Sequence, residues 1–119
     1  MNFKSRTHAN QQYHSVDAEE EVCTELKEII RRIRSSSRDQ ILRRRDLPSK
    51  SGRGYSTSFL DIARGEFPPP FPIGKRAIGF SSNEVDAWIA ARSYSSQKKI
   101  PVNMKAFVTL LVRSRNTLP

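Results

Sequence analysis

Apolar and polar positions alternate in ways that divide the chain into a polar start and several short amphipathic segments. Residues 1–16 are polar and show no period, which predicts a disordered tail. Within residues 17–37, apolar side chains recur at helical spacing, which predicts one amphipathic helix over residues 17–34. That helix either packs on the body of the protein or pairs with a second copy as a coiled coil. The apolar stripe consists of Val22, Leu26, Ile29, Ile30 and Ile33.

A second, shorter helix is predicted at residues 56–64. Ser56 or Thr57 suits its N-cap, because a hydroxyl there accepts a hydrogen bond from a backbone N–H of the first turn. Gly65 suits the left-handed position that ends a helix. The spacing i, i+3, i+4 predicts which apolar side chains face inward. They are Phe59, Ile62 and Ala63.

A β-hairpin is predicted at residues 71–80. Phe71 and Ile73 alternate along its first arm, and the second arm holds Ala77, Ile78 and Phe80. Gly74 and Lys75 suit a two-residue turn at the tip. Farther upstream, Ile41 and Leu42 predict a short additional strand, and residues 52–55 predict a turn.

Residues 81–92 carry the strongest helix signals of the chain. Ser81 and Glu84 have the spacing of a capping box, and Val85, Trp88 and Ile89 form a buried stripe. Residues 93–119 are predicted to be a linker and a C-terminal extension. Within that extension, the pattern over residues 103–115 is compatible with a helix or a strand.

Charge is concentrated in two blocks of the sequence. The 119 residues include 21 Lys and Arg against 12 Asp and Glu, a net charge of +9. Residues 31–53 hold nine basic and two acidic residues, and residues 93–119 hold five basic and no acidic ones. Cationic segments beside an apolar body attract polyanions, most commonly nucleic acid. The alternative is a basic surface that only keeps the protein dispersed.

The composition argues against several classes of protein. The longest apolar stretch, residues 106–112, is too short to cross a membrane, and the polar start lacks the apolar core of a secretory signal. The single cysteine, Cys23, fits a reducing compartment, so we expect a cytoplasmic protein. If its cationic segments bind DNA, it is associated with the nucleoid. Both histidines, His8 and His14, lie in the polar tail. We therefore predict no catalytic residues, metal or cofactor, and no enzyme.

Three successive motifs resemble the AlpA family of phage and prophage regulators. They are the runs IARGEFP at residues 62–68, IGKRAIGF at 73–80 and NEVDAWIAAR at 83–92. The family is related to excisionases and to winged helix-turn-helix proteins of the MerR type. The resemblance implies a mainly α fold with a small β-hairpin wing. The winged helix-turn-helix core would occupy residues 38–92, with a helical N-terminal extension.

The resemblance also implies binding to double-stranded DNA, with the second helix of the motif in the major groove and the wing beside it. In the second helix, Leu60 stands where the family has an arginine. The neighbouring Asp61 would be repelled by phosphate, although its carboxylate can accept a hydrogen bond from cytosine N4. The DNA-binding residues that the resemblance implies are Arg53, Tyr55, Ser56, Thr57, Ser58, Leu60, Arg64, Lys75 and Arg76.

Two functions are consistent with these motifs. The first is a sequence-specific DNA-binding transcriptional regulator, or an excisionase-like architectural factor, of a prophage or mobile element. Either neighbouring copies, bound as a homo-oligomer on DNA, or a bend in the DNA would supply most of its specificity. The alternative is an adaptor that binds an integrase or another regulator through residues 17–34 or 103–115, with minor DNA contact. The run of three arginines at residues 43–45 either lies on a phosphate backbone or covers the solvent side of the body.

Overall fold

The computed structural model describes residues 15–36 and 38–117, and they form a mainly helical fold with a small antiparallel sheet. This confirms the predicted fold class. None of the helices in this range is long and apolar enough to cross a membrane. The helices are α1 (Ser15–Glu21), α2 (Thr24–Ser35), α3 (Leu47–Ser51), α4 (Tyr55–Ala63), α5 (Ser82–Lys98) and α6 (Met104–Arg113). The strands are β1 (Ile41–Leu42), β2 (Phe71–Pro72) and β3 (Ile78–Ser81), and 3₁₀ turns occur at Arg44–Asp46 and Ser114–Thr117.

The N-terminal amphipathic stretch is two helices rather than the single predicted one. Cys23 has an extended backbone, with φ −75° and ψ 169°, and it separates α1 from α2. The break lets α1 pack along α6 while α2 packs along α5. The predicted stripe is otherwise correct, because Val22, Leu26, Ile29 and Ile30 all lie in the core of the same chain. Of the predicted disordered tail, residues 1–14 lie outside the described range, and residues 15 and 16 begin α1.

A tight turn joins α3 to α4. Pro48 occupies the first turn of α3, where its missing N–H removes no helical hydrogen bond. Gly52 ends that helix with φ +78°, a left-handed conformation that glycine adopts without steric cost. Gly54 is the N-cap of α4, so the predicted hydroxyl cap is wrong and no side chain caps this helix. At the other end, Gly65 has φ +77°, as predicted for the residue that ends the helix.

The predicted hairpin is formed by β2 and β3. Phe71 pairs with Gly79 and Pro72 with Ile78. Beyond these pairs, the Ile73 N–H donates to the Ala77 carbonyl at 2.9 Å. This register leaves residues 74–76 in the loop, so the tip has three residues instead of the predicted two.

The predicted strand at Ile41 and Leu42 is β1, which pairs with the other side of β3. The strand order is therefore β1-β3-β2, with β3 in the centre. A Cβ at Gly79 would lie only 2.5 Å from Cγ2 of Ile41 and 3.2 Å from Cγ2 of Ile73. Glycine at this position lets the two isoleucines cover the middle of the sheet.

The helix predicted at residues 81–92 continues to Lys98, so residues 93–98 are helical and not a linker. Ser81 Oγ accepts a hydrogen bond from the Glu84 N–H at 3.1 Å, which confirms the N-cap. Ser81 Oγ itself donates to Asp39 Oδ2 at 2.7 Å. The segment at residues 103–115, whose pattern fits a helix or a strand, forms the helix α6. Asn103 caps this helix, because its side-chain oxygen accepts a hydrogen bond from the Ala106 N–H at 3.0 Å.

An aromatic cluster lies at the centre of the core. Phe67 packs edge-on against Trp88, with ring centroids 5.0 Å apart, and against Phe80 at 6.5 Å. The Trp88 indole N–H donates to the Glu66 carbonyl at 3.0 Å, so its one polar group is satisfied. Trp88 is thus the core residue that its helical spacing predicts.

A buried carboxylate on α5 binds one arginine of α2 and one of the turn after α6. Glu84 is 1 % exposed and accepts hydrogen bonds from Arg34 of α2 at 2.7 Å and from Arg115 at 2.6 and 2.7 Å. Arg115 also donates to the Pro69 carbonyl at 2.8 Å, directly before the hairpin. The hydrogen bond with Glu84 raises the pKa of Arg115 above its already high ordinary value, so this arginine stays charged. We call Arg34, Glu84 and Arg115 the Glu84 cluster.

Candidate nucleic-acid interface

An open groove lies between the 3₁₀ turn at Arg44–Asp46, the start of α4 and the hairpin. Its volume is about 530 Å³. Four of the eight residues that line the groove are arginines, and none of the eight is Asp or Glu. We call it the arginine groove. Its lining residues are Arg43, Arg44, Arg45, Pro48, Tyr55, Arg76, Ala77 and Ile78.

The cations of the groove form no ion pair with the described residues. Within residues 15–36 and 38–117, no carboxylate forms an ion pair with the arginines at 43–45, with Arg76 or with Lys75. Other arginines are paired, for example Arg34 and Arg115 with Glu84. The groove and the hairpin tip therefore present uncompensated positive charge, which attracts a polyanion.

Tyr55 connects the groove to the surface of α4. The guanidinium of Arg44 lies 5.1 Å from the centroid of the Tyr55 ring, a cation–π distance. The centroid of the Tyr55 ring also lies 5.9 Å from that of the Phe59 ring. These contacts hold Arg44 beside the N-terminal turn of α4, where backbone N–H groups favour an anion.

The hairpin tip projects from paired strands into solvent. Gly74, Lys75 and Arg76 are all exposed. Arg76 also lines the arginine groove, so the tip and the groove form one continuous surface. The tip can therefore contact a region of a bound polyanion that α4 does not touch.

Two of the three apolar side chains expected on the inward face of α4 lie on its outward face instead. Phe59 and Leu60 are each 56 % exposed, whereas Ser58 is fully buried and Asp61 is only 6 % exposed. Ile62 is half-buried as predicted, but the inward placement of Phe59 and Ala63 is wrong. The inward face consists of Tyr55, Ser58, Asp61 and Ile62, and the outward stripe consists of Ser56, Phe59, Leu60 and Ala63.

An ion pair beneath the helix accounts for this orientation. Asp61 Oδ2 lies 2.9 Å from Nη1 of Arg53, and Asp61 Oδ1 lies 3.7 Å from Nη1 of Arg64. The Arg53 guanidinium in turn lies 5.6 Å from the Trp88 ring. Because the Asp61 carboxylate is turned inward and paired, it cannot accept a hydrogen bond from a cytosine, and that expectation is corrected.

The residues that sequence resemblance assigned to DNA contact differ in their exposure. Ser58 cannot make such a contact, because its hydroxyl is fully buried; it has no hydrogen-bond partner in the described part of the chain. Arg53 and Tyr55 are half-buried, and both side chains also contact other residues of the protein. The exposed residues of the set are Ser56, Thr57, Leu60, Arg64, Lys75 and Arg76.

Sequence reasoning left the role of the arginines at 43–45 open. The signal that would have placed them is their position directly after β1. Since β1 pairs with β3, the residues that follow β1 emerge beside the hairpin. The groove thus combines residues from two segments that are separated in sequence but joined by one strand pairing.

Comparison with known families identifies the segment that carries this surface. Residues 40–93 match the family described as Prophage CP4-57 regulatory protein (AlpA). The match covers somewhat less than half of the chain, and over this part the sequence is similar to the AlpA family. We call residues 40–93 the AlpA segment. The AlpA segment runs from β1 into α5 and contains the whole arginine groove, while α1, α2 and α6 lie outside it. No match was found among curated proteins or among solved structures.

Proposed function

We propose that this protein is a DNA-binding regulator of a prophage or mobile element, acting on transcription or as an excisionase-like architectural factor. In this proposal, α3 and α4 are the two helices of a winged helix-turn-helix, and the hairpin is its wing. The observation that carries the proposal is the arginine groove, whose unpaired cations lie between α4 and the wing within an AlpA segment.

The groove suits the sugar–phosphate backbone better than a small anion. It is open, and its cations are spread over two structural elements, so they match a row of phosphates. The arginines at 43–45 and Arg76 would hold the backbone on either side of the start of α4. Phosphate contacts of this kind fix the register of a protein on the duplex, while base contacts supply the sequence preference.

The wing and α4 would divide the remaining contacts between two grooves of the DNA. Lys75 and Arg76 lie at the exposed tip, where they would reach the phosphates that border a neighbouring minor groove. The outward stripe of α4 would enter the major groove. A module of this size buries little surface, so we expect neighbouring copies or DNA bending to supply much of the specificity of a regulator at the nucleoid.

The burial of the flanking helices argues against an adaptor that binds its partner through these helices. That alternative used the apolar faces of residues 17–34 and 103–115 to bind an integrase or another regulator. Leu26, Ile29, Phe107 and Leu111 of these faces are buried in the core of the chain. An adaptor function would need a different surface.

The experiment is a titration of a duplex of about three helical turns, followed by fluorescence anisotropy, at about 50 mM and about 200 mM salt. If the three arginines at 43–45, Lys75 and Arg76 each neutralise one phosphate, log K should fall against log salt with a slope of about −4 to −5. Replacing Arg44 and Arg45 by alanine should flatten that slope by about two units. Absence of any binding at the lower salt would contradict the proposal and favour an adaptor.

A further inference from the structure

The outward face of α4 is apolar at the positions where the proposed DNA contact would read base edges. Phe59 and Leu60 are each 56 % exposed, and Ala63 continues the same stripe. Exposed side chains of this size are not required by the fold, because the inward face of the helix is already filled. The stripe is therefore available to an occupant outside the chain.

The helix cannot rotate to hide these side chains without breaking an ion pair. Asp61 is held inward by Arg53 at 2.9 Å, and Ser58 is packed beneath the same turn with no exposed surface. A rotation that buried Phe59 would move the Asp61 carboxylate away from Arg53 and leave that arginine against Trp88 without its partner. The apolar stripe is thus a fixed feature of the surface.

The charges beside the stripe restrict the chemistry of its occupant. The Tyr55 ring contacts both Phe59 of the stripe and Arg44 of the arginine groove, so the two surfaces adjoin. An occupant that covers both must offer negative charges at one edge and small apolar groups at the other. Duplex DNA does this in its major groove, where the only apolar group on a base edge is the C5-methyl of thymine.

We propose that Phe59 and Leu60 read thymine C5-methyl groups, which makes them specificity-determining residues of α4. The inference rests on the proposed function, since it requires α4 to enter the major groove. The arginines of the groove fix the register, and the two apolar side chains then exclude water from the methyl groups they cover. Burying one methyl group favours binding by roughly fourfold, so two contacts would favour a thymine-containing site by roughly fifteenfold.

The test compares two duplexes that differ only in these methyl groups. A site is first enriched from a pool of random-sequence duplexes, and the enriched duplex is then synthesised with thymine or with uracil at every thymine position. We expect the wild-type protein to bind the uracil duplex roughly fourfold to fifteenfold more weakly. Because uracil pairs as thymine does, the loss would report the methyl group.

Matched variants separate this inference from DNA binding itself. Phe59→Ala with Leu60→Ala should bind both duplexes with equal affinity, whereas Lys75→Ala with Arg76→Ala should weaken both and keep their ratio. Since both apolar side chains are exposed, we expect the double variant to fold. If the double variant does not fold, Leu60→Ala alone should lower the ratio of the affinities for the thymine and uracil duplexes. Equal wild-type affinity for the two duplexes, or a ratio that survives loss of the apolar pair, overturns the inference while DNA binding stands. Failure to bind any duplex overturns both proposals.

Discussion

Two polar residues on the inward face of α4 are buried in opposite states. Asp61 is paired with Arg53, whereas the Ser58 hydroxyl has no hydrogen-bond partner in the part of the chain that the structure describes. A buried hydroxyl without a partner costs about 1–3 kcal/mol of stability. Paired and unpaired groups one turn apart should therefore respond to alanine substitution in opposite directions.

We expect Ser58→Ala to leave the free energy of unfolding unchanged or to raise it by about 1 kcal/mol, because it removes an unsatisfied group and little volume. Asp61→Ala should lower it by about 2 kcal/mol, because Arg53 then lacks its partner beneath the helix. Urea denaturation of the two variants measures both effects. Strong destabilisation by Ser58→Ala would mean that the hydroxyl is satisfied after all.

The same helix shows where sequence reasoning succeeds and fails for single residues. A period of 3.6 residues correctly predicts a helix, and it fits an inward stripe through Phe59 or one through Ser58 equally well. Hydrophobicity selects the stripe through Phe59, which is wrong. The deciding contact is between Asp61 and Arg53, which lies before the helix and across a turn, so no pattern within α4 reveals it.

Among the structural elements of the candidate site, the hairpin agrees best with its prediction from the sequence. Alternation and the position of Gly74 gave its two arms and an exposed tip. The loop length differs by one residue because the register is set by pairing along the strands, which places Ile73 opposite Ala77. The pairing of β3 with β1, and hence the arginine groove, depends on a contact between distant segments that local patterns do not contain.

The wing itself can be tested by removing its two exposed cations. Lys75→Ala with Arg76→Ala should weaken duplex binding and flatten the dependence of log K on log salt by about one to two units. The reason is that a protein that contacts fewer phosphates releases fewer counterions from the DNA. The two substitutions lie in a loop that makes no ion pair among the described residues, so the fold should be unaffected. Salt-dependent anisotropy measures the change.

A charge-matched control is available at the far end of α5. Lys98 and Lys99 are also exposed, and Lys98 is 16 residues beyond the start of α5 at Ser82, about 24 Å along the helix axis. Replacing both by alanine removes the same net charge. If this control flattens the salt dependence as much as the wing variant does, the effect belongs to net charge and the assignment of the wing is wrong.

Across the whole molecule, the Glu84 cluster adds a buried ionic contact to the apolar packing that joins the AlpA segment to the helices outside it. Its carboxylate is buried and receives guanidinium groups from α2 and from the turn after α6. Sequence reasoning predicted a role for Glu84 at the cap of α5, because Ser81 lies three residues before it. The backbone N–H of Glu84 does take part in that cap. The partners of its carboxylate are 50 and 31 residues away in sequence, and nothing in the local pattern indicates them.

The cluster predicts different effects for two arginines that lie close together in sequence. Arg115→Ala should lower the free energy of unfolding by about 2 kcal/mol, because Glu84 is 1 % exposed and would retain only Arg34. Arg113→Ala should change it by less than about 0.5 kcal/mol, because Arg113 meets an exposed Glu19 at 3.8 Å. Thermal or urea denaturation compares the two variants. Equal effects would show that the buried carboxylate does not depend on Arg115.

The burial of Glu84 also determines how this protein can be taken apart. Its side chain lies inside the AlpA segment, yet both positive groups that neutralise it come from outside residues 40–93. A fragment trimmed to the family boundaries would retain every residue of the arginine groove but would lose both guanidinium groups, together with α2 and α6, which pack on α5. A host protein that buries Glu84 again must therefore supply substitutes for Arg34 and Arg115, or Glu84 must be replaced by a side chain that needs no counterion.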